Sequence, residues 1–345
     1  MRLLAALPWL RPAFAQADRT RVPRSLGYLP WWMAPGWKAL PLNSVERVVL
    51  FDAPINPDGS LLDRDWPKSA APAAGAELAL TCLGEGRFDE VFGEPKRRAR
   101  LLAEALERLK RPGVSGLHLD IEGYARPAPG AVAGFRAWLA ELDQRRRARG
   151  KALSAFFPAS DSFAPYDAEA ARRMDYWVAQ IYDAHWKESP ATGPLVTRRA
   201  ENPVGVPRAL ARLAALGVPR EAVLLSVPLY GWEWPSASEH PGAAALGRAR
   251  LVTYAETPAA LMPNDRLAAT ALAARHGLRR DEEDTPYYAY RDGAQWRQGW
   301  FEDLRSLTRK LAPERALGYA GLAFFPLGYD RGEVLGSMLK WWSAR

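Results

Sequence analysis

Apolar residues along the chain gather in short strand-like runs separated by longer segments with helical spacing. The runs are "SLGYLPWW" around Leu26, "VERVVLFDAPI" from Val45, "AELALTCLG" from Ala76 and "GVSGLHLDIE" from Gly113. They continue with "KALSAFFPA" from Lys151, "MDYWVAQIYD" from Met174, "AVLLSVPLYGW" from Ala222 and "LGYAGLAFFPLGYD" from Leu317. Between several of them, apolar positions fall three and four residues apart, which predicts amphipathic helices over Lys96 to Leu109 and Pro129 to Arg149. Strand and helix in alternation, with eight strand-like runs, is the sequence form of an α/β (β/α)8 TIM barrel. The spacing breaks its rhythm between the seventh and eighth runs, where far more chain intervenes than one crossover helix requires. That segment, about 232–315, holds a helix around Asp265 to His276 and the hairpin pattern "YYAYRDGAQWRQGWFED". It reads as a small α+β insertion on the carboxyl-end rim of the barrel.

The fourth run carries the chemistry. Residues two apart on a strand share a face, so Gly116, His118, Asp120 and Glu122 look one way while Leu117, Leu119 and Ile121 look the other. In a barrel the leucine face packs outward on helices and the polar file points inward. Barrel interiors are normally filled by bulky apolar side chains, so a histidine and two carboxylates there are costly to desolvate unless they serve a reaction. The competing reading is a hydrogen-bonded polar cluster with a purely structural role. Two acids at this spacing have Cα atoms ~6.5–7 Å apart, close enough for each to influence the other's ionisation. One can remain charged while the other stays protonated. Glycosidic bond cleavage asks for that asymmetry, with a proton donor to the leaving oxygen and a negative charge near the cationic centre.

Composition adjusts this picture rather than changing it. With 345 residues, 48% hydrophobic and 25% charged, the chain has the make-up of one large globular domain. No apolar run approaches the ~18–20 residues of a membrane span. The first twenty residues, "MRLLAALPWLRPAFAQADRT", combine a basic start, a short apolar stretch and small residues. They predict a signal peptide over 1–17, export to the periplasm or medium, and a mature barrel over 18–345. The net charge of +8 would steer anionic polymers. Because the arginines are scattered over helix faces, with no aromatic-interleaved basic patch, no nucleic-acid partner is expected. The single cysteine, Cys82, excludes an intrachain disulfide and reads as a small buried hydrophobe. Four scattered histidines show no metal-ligand spacing, so neither a metal nor another cofactor is expected.

The stretch "SGLHLDIE" resembles the D-x-x-D-x-D-x-E signature of glycoside hydrolase family 18, the chitinase-like family, with its last two acids present at Asp120 and Glu122. The resemblance implies Glu122 as general acid/base and Asp120 as the residue that orients the substrate's own N-acetyl group. That group attacks the anomeric carbon with overall retention, an exception to the two-carboxylate scheme. "QIYD" resembles the family's sixth-strand motif, which implies Tyr182 as donor to the N-acetyl oxygen, with Gln180 and Asp183 as its neighbours in the site. "VPLYGW" is similar to the seventh-strand motif, placing Tyr230 in the cleft. The segment from Gly299 to Asp330 resembles that of the bacterial spore-cortex-lytic, peptidoglycan-directed branch. Implied with the resemblance is a β-linked, N-acetylhexosamine-containing polysaccharide substrate such as peptidoglycan, a chitin-like polymer or an exopolysaccharide; a monomer is expected.

The sequence also departs from the signature. Ser115 and His118 stand where the family has its first two acids, and Phe325 stands where it has a floor tryptophan. An imidazole at 118 is expected to hydrogen-bond Asp120 and, if protonated, to lower its pKa. Phe325 keeps an apolar sugar platform without the indole N–H. Aromatic residues near the strand ends (Tyr28, Trp31, Trp32, Trp186, Trp232 and Trp234) are candidates for stacking on sugar rings or for core packing. Asp52 is a candidate cleft residue by position, and His185 a candidate for the rim. Two rival functions accompany the main one: a catalytically silent, lectin-like barrel, and a hydrolase of a poorly N-acetylated exopolysaccharide.

Overall fold

Hydrogen-bond pairing turns the eight apolar runs into eight parallel strands. The computed structural model describes residues 21–66, 75–122, 126–158, 165–257 and 267–344; the signal sequence expected over 1–17 lies outside these. Strands β1 (Ser25–Pro30), β2 (Arg47–Pro54) and β3 (Ala76–Cys82) lead to helices α1 (Arg87–Phe92) and α2 (Pro95–Leu109). Strand β4 (Val114–Ile121) is followed by α3 (Pro129–Arg147), β5 (Ala152–Phe157) by the short α4 (Ala168–Ala171), and β6 (Tyr176–Gln180) by α5 (Val206–Ala215). After β7 (Val223–Pro228) the chain leaves the barrel and makes β8 (Tyr230–Ser236), β9 (Arg250–Thr253) and α6 (Ala269–His276). It continues through β10 (Arg279–Arg280), β11 (Pro286–Asp292) and β12 (Gln295–Trp300) to α7 (Leu304–Leu317), then returns as β13 (Gly321–Phe325) and ends in α8 (Glu333–Ser343). Strand β13 pairs with both β7 and β1, which closes the barrel.

The helices form where the sequence periodicity places an apolar stripe. In α2, Leu101, Ala105 and Leu109 are buried at four-residue spacing; Pro95 occupies the first turn, and the Glu94 side chain caps it by accepting from Lys96 N–H. Helix α7 stops at Gly318, whose φ of +84° is a left-handed conformation natural to glycine at a helix end. The run beginning at Leu317 is therefore a helix end and a turn before it becomes β13.

The seventh run divides in two. Pro228, which has no N–H to give to a ladder, ends β7, and Leu229 N–H turns to Phe325 O at 2.7 Å. Tyr230 and Trp232 consequently lie on β8, not on the end of a barrel strand. Strand β8 belongs to a five-stranded antiparallel sheet of order β10-β11-β12-β8-β9. The sheet packs on α6 through Val252, Ala269, Ala273, Tyr288 and Phe301. The β6–α5 connection is tied to this part of the chain by the buried Lys310. Its Nζ donates to Val196 O (2.7 Å), Thr285 Oγ1 (2.7 Å) and both Glu302 oxygens (3.0 and 2.9 Å), while Glu302 Oε1 accepts from Val196 N–H at 3.0 Å. Among the described residues no helix is long and apolar enough to cross a membrane.

Candidate active site

The β4 alternation is realised as the sequence predicts. Leu117, Leu119 and Ile121 are fully buried on the outer face, and His118 is fully buried on the inner one. Register sets what surrounds the polar file: His118 lies beside Ala79 of β3 and Ser154 of β5, and Asp120 lies beside Thr81. Glu122, half-buried, continues the ladder one residue past β4 through its N–H to Cys82 O at 3.0 Å.

Asp120 and Glu122 are brought together as expected. Their carboxyl groups are hydrogen-bonded to each other, and burial raises the pKa of both. For Asp120, the charge of Glu122, the hydrogen bond to it and the charge of Asp52 add to the burial, holding it well above the carboxylate range. For Glu122, the hydrogen bond from Asp120 works against burial, and the charge of Asp183 works with it. The pair therefore holds a proton to higher pH than free carboxylates would. Asp120 Oδ1 is buried with no hydrogen-bond partner among the described residues.

His118 corrects the expectation placed on it. Its ring nitrogens face Tyr28 Oη (Nε2, 3.0 Å) and Ser154 Oγ (Nδ1, 2.8 Å), not Asp120. Complete burial pushes its pKa down to about 3, so it is neutral and adds no positive charge beside Asp120. Ser115 is occupied too, accepting from Arg47 Nη1 at 2.9 Å.

The sixth-strand residues converge on the same spot. Tyr182 is buried, and its phenol is held well above its ordinary pKa by burial and then by the charges of Asp183, Glu122 and Asp120, so it remains a hydroxyl donor. Asp183 turns at φ +67°, a left-handed conformation that aspartate adopts more readily than most residues. Its Oδ1 accepts from Tyr230 Oη (2.8 Å) and Trp232 Nε1 (3.4 Å). Burial lifts its pKa to about 6, against those two hydrogen bonds and the charge of Lys187. Gln180 ends β6, half-buried.

The floor is aromatic. Phe325 packs edge-on to Tyr28 (5.6 Å between centroids), Phe51 (5.4 Å) and Tyr230 (6.3 Å). Trp31 is 42% exposed, with the Arg64 guanidinium 4.4 Å from its ring centre. Trp186 is 44% exposed beside Lys187, and Trp232 is half-buried. Other candidates are structural: Trp234 is fully buried, Trp32 donates to Tyr329 Oη at 3.0 Å, and His185 Nδ1 is hydrogen-bonded to Pro194 O at 2.9 Å. Cys82 is buried, and its thiol is pushed up to about 12 by that burial. Asp52 does reach the site, because an irregularity in register between Leu50 and Ala53 turns it inward. There it accepts from Thr81 Oγ1 (2.7 Å) and pairs with Arg64 (3.2 Å).

Sequence reasoning missed the layer beneath the acids. Glu77 of β3 is fully buried and accepts from Ser154 Oγ (2.5 Å) and Tyr176 Oη (2.7 Å), with Arg47 Nε 3.6 Å away. The period-two rule applied to β3 puts Glu77, Ala79 and Thr81 on one face and was the signal available. No group of three or more histidine, cysteine or acidic side chains among the described residues is arranged to hold a metal.

Comparison with known proteins agrees with this geometry. The sequence profile described as "Glycosyl hydrolases family 18" matches residues 82–330. The cortical fragment-lytic enzyme of Bacillus subtilis is 24% identical over 267 residues, covering 73% of this chain and 56% of that protein, so the chain spans little more than half of that relative. Among solved structures, the spore cortex-lytic enzyme SleL of Bacillus megaterium superposes with a TM-score of 0.68 at 18% identity, covering 92% of this chain and 74% of that one. The Group IV chitinase of Ostrinia furnacalis, solved with allosamidin, reaches 0.77 at 18% identity, covering 92% and 98%.

Proposed function

The chain belongs to glycosyl hydrolases family 18, and from that premise we propose that it cleaves β-linked N-acetylhexosamine-containing polysaccharide with retention, by substrate-assisted catalysis at Asp120 and Glu122. The observation that carries the reading is the state of Asp120, with its carboxyl hydrogen-bonded to Glu122 and its Oδ1 buried without a partner among the described residues. A buried carboxylate oxygen without a donor is costly in the free protein, and an acetamido N–H is the donor it lacks. Accepting that N–H would stabilise the anionic form of Asp120 and push the shared proton onto Glu122. Glu122 would then deliver it to the glycosidic oxygen as the acetamido oxygen attacks the anomeric carbon, C–O bond breaking and forming at the same centre. Tyr182, kept protonated, would donate to that acetamido oxygen. Glu122 would finally retrieve a proton from the water that opens the intermediate.

The substrate class is supported by the aromatic floor and by relatives such as the cortical fragment-lytic enzyme, with a peptidoglycan-type or chitin-type glycan as the leading choice. Export is part of the same reading and rests on the pattern of residues 1–17. The test is a product screen on chitin oligomers, peptidoglycan and partly deacetylated glucosamine polymers with wild type and Glu122→Gln. Turnover of an acetylated glycan by wild type, lost in the variant while sugar binding persists, is expected. Activity confined to non-acetylated glycans would remove the substrate-assisted step. Saturable binding without reducing-end release would identify a binding barrel instead.

A further inference from the structure

Beneath the acid pair, four polar side chains from four different strands form a single file. Glu77 (β3) accepts from Ser154 (β5) at 2.5 Å; the Ser154 oxygen meets His118 Nδ1 (β4) at 2.8 Å, and His118 Nε2 meets Tyr28 Oη (β1) at 3.0 Å. A serine hydroxyl has one hydrogen. Glu77 pairs with Arg47 and also receives the Tyr176 hydroxyl. Burial raises the Glu77 pKa, against the charge of Arg47 and the hydrogen bonds from Ser154 and Tyr176. In the ionised form that those three partners favour it has no hydrogen to give, so Ser154 must spend its own on Glu77. Toward His118 the serine can only accept, which requires hydrogen on Nδ1. Nε2 is then a bare acceptor, and Tyr28 must point its hydrogen down at it.

We propose that Glu77 is a positioning residue for the reaction: through Ser154 it fixes His118 as the neutral Nδ1–H tautomer and turns the Tyr28 hydroxyl hydrogen away from Asp120. This rests on the hydrolase reading only in its consequence, that the acid pair receives no donor from below and shares its proton internally. The charged and titratable groups around the file are Arg47, Glu77 and, acting on Glu77 by its charge, Asp175 below, Tyr176 to one side, and Tyr28, Tyr182 and Asp120 above. Tyr28 is close enough to Asp120 to have its own ionisation opposed by that charge, after the larger effect of burial. Burial keeps the imidazole uncharged at working pH.

Removing the acceptor reverses the polarity of the file. In Glu77→Gln the new amide can donate to Ser154, whose hydrogen then goes to His118 Nδ1. The imidazole carries its hydrogen on Nε2 and donates to Tyr28, and the tyrosine hydrogen is freed to turn toward Asp120, with which Tyr28 interacts through space. A hydroxyl hydrogen turned toward the ionised carboxylate favours its charged form, so the alkaline limb of the kcat/KM profile should move down, by less than about one unit.

The experiment is 15N NMR of histidine-labelled protein, tractable with four histidines, in wild type, Glu77→Gln, Ser154→Ala and Tyr176→Phe, alongside pH profiles. Wild type should show His118 with hydrogen on Nδ1. Glu77→Gln and Ser154→Ala should show Nε2–H populated and the alkaline limb lowered. Tyr176→Phe, which removes a donor to Glu77 and a neighbour of Ser154 but leaves the Glu77–Ser154–His118–Tyr28 contacts in place, should change neither. If Glu77→Gln does not fold, Ser154→Ala carries the test. A wild-type Nε2–H tautomer, or variants that leave both tautomer and limb unmoved, would overturn the proposal. An Nδ1–H tautomer with no glycan hydrolysed supports the file and removes the hydrolase reading instead.

Discussion

Replacing His118 by asparagine should flatten part of the pH dependence of stability. The imidazole is fully buried between Tyr28 and Ser154, and its pKa falls from 6.5 to about 3 on burial. As pH drops below 6.5 the unfolded chain binds a proton that the folded chain refuses, so the stability from this residue is whole above that pH and is lost toward about 3. The loss is about 1.4 kcal/mol per pH unit, or about 2 kcal/mol between pH 7 and pH 5. Asp183 acts in the opposite sense. Its pKa is raised to about 6, so its contribution is whole at low pH and fades as pH climbs from the usual carboxylate range through 6. That opposition makes the difference between the two proteins the quantity to measure. Urea unfolding followed by tryptophan fluorescence at pH 7 and pH 5 gives it directly. His118→Asn will be less stable at both pH values because hydrogen bonds and packing change. Wild type should nevertheless lose about 2 kcal/mol more than the variant on acidification. Equal losses would mean that the imidazole is protonated in the folded barrel, and the neutral file beneath Asp120 would be wrong.

Two other perturbations probe neighbouring parts of the structure. Lys310→Met leaves the fully buried Glu302 without its cation and frees the Val196 carbonyl, so stability should fall by about 3–5 kcal/mol. Thermal unfolding checks this, and a loss under 1 kcal/mol would show the pair to be solvated. Tyr230→Phe removes the shorter of the two hydrogen bonds to Asp183 Oδ1, which favours the charged form. The Asp183 midpoint, read by 13C NMR of labelled aspartate, should therefore climb above about 6. A midpoint that stays or falls would count against the assigned hydrogen bond.

The barrel was legible because strand and helix periods differ and the chain alternates them. The acid pair was legible for the same reason, since a two-residue spacing on a strand fixes a shared face whatever the neighbours are. What could not be read depended on more than one strand. A lone Glu77 in "AELALTC" looks like a solvent-facing acid until the register places Arg47, Ser154 and Tyr176 around it. Asp52 needed the irregularity in β2 to face inward. The apolar pattern runs through Pro228 without a break, so the sequence hides the passage from barrel to antiparallel sheet and with it the place of Tyr230 on β8. Trp31 and Trp234 both follow apolar runs, but one is open to solvent and the other is sealed by the segments that cover β8. Tertiary cover decides such cases, and no local pattern encodes it.

The substitutions at Ser115 and His118 read differently once the whole interior is considered. Losing two carboxylates from β4 would remove negative charge from the barrel, yet Glu77 restores one from β3 and meets Arg47 there. The lower layer is thereby balanced internally, and the neutral imidazole above it adds nothing. Asp52 is likewise balanced by Arg64 at the rim. The charge left to act on a bound sugar is that of the Asp120–Glu122 pair, supplemented by Asp183 at pH values above about 6. Under the proposed chemistry, an anion in a buried site is what a developing positive anomeric centre would gain most from. Under the same proposal the histidine, uncharged and hydrogen-bonded to Tyr28 and Ser154, would insulate Asp120 from the floor of the barrel.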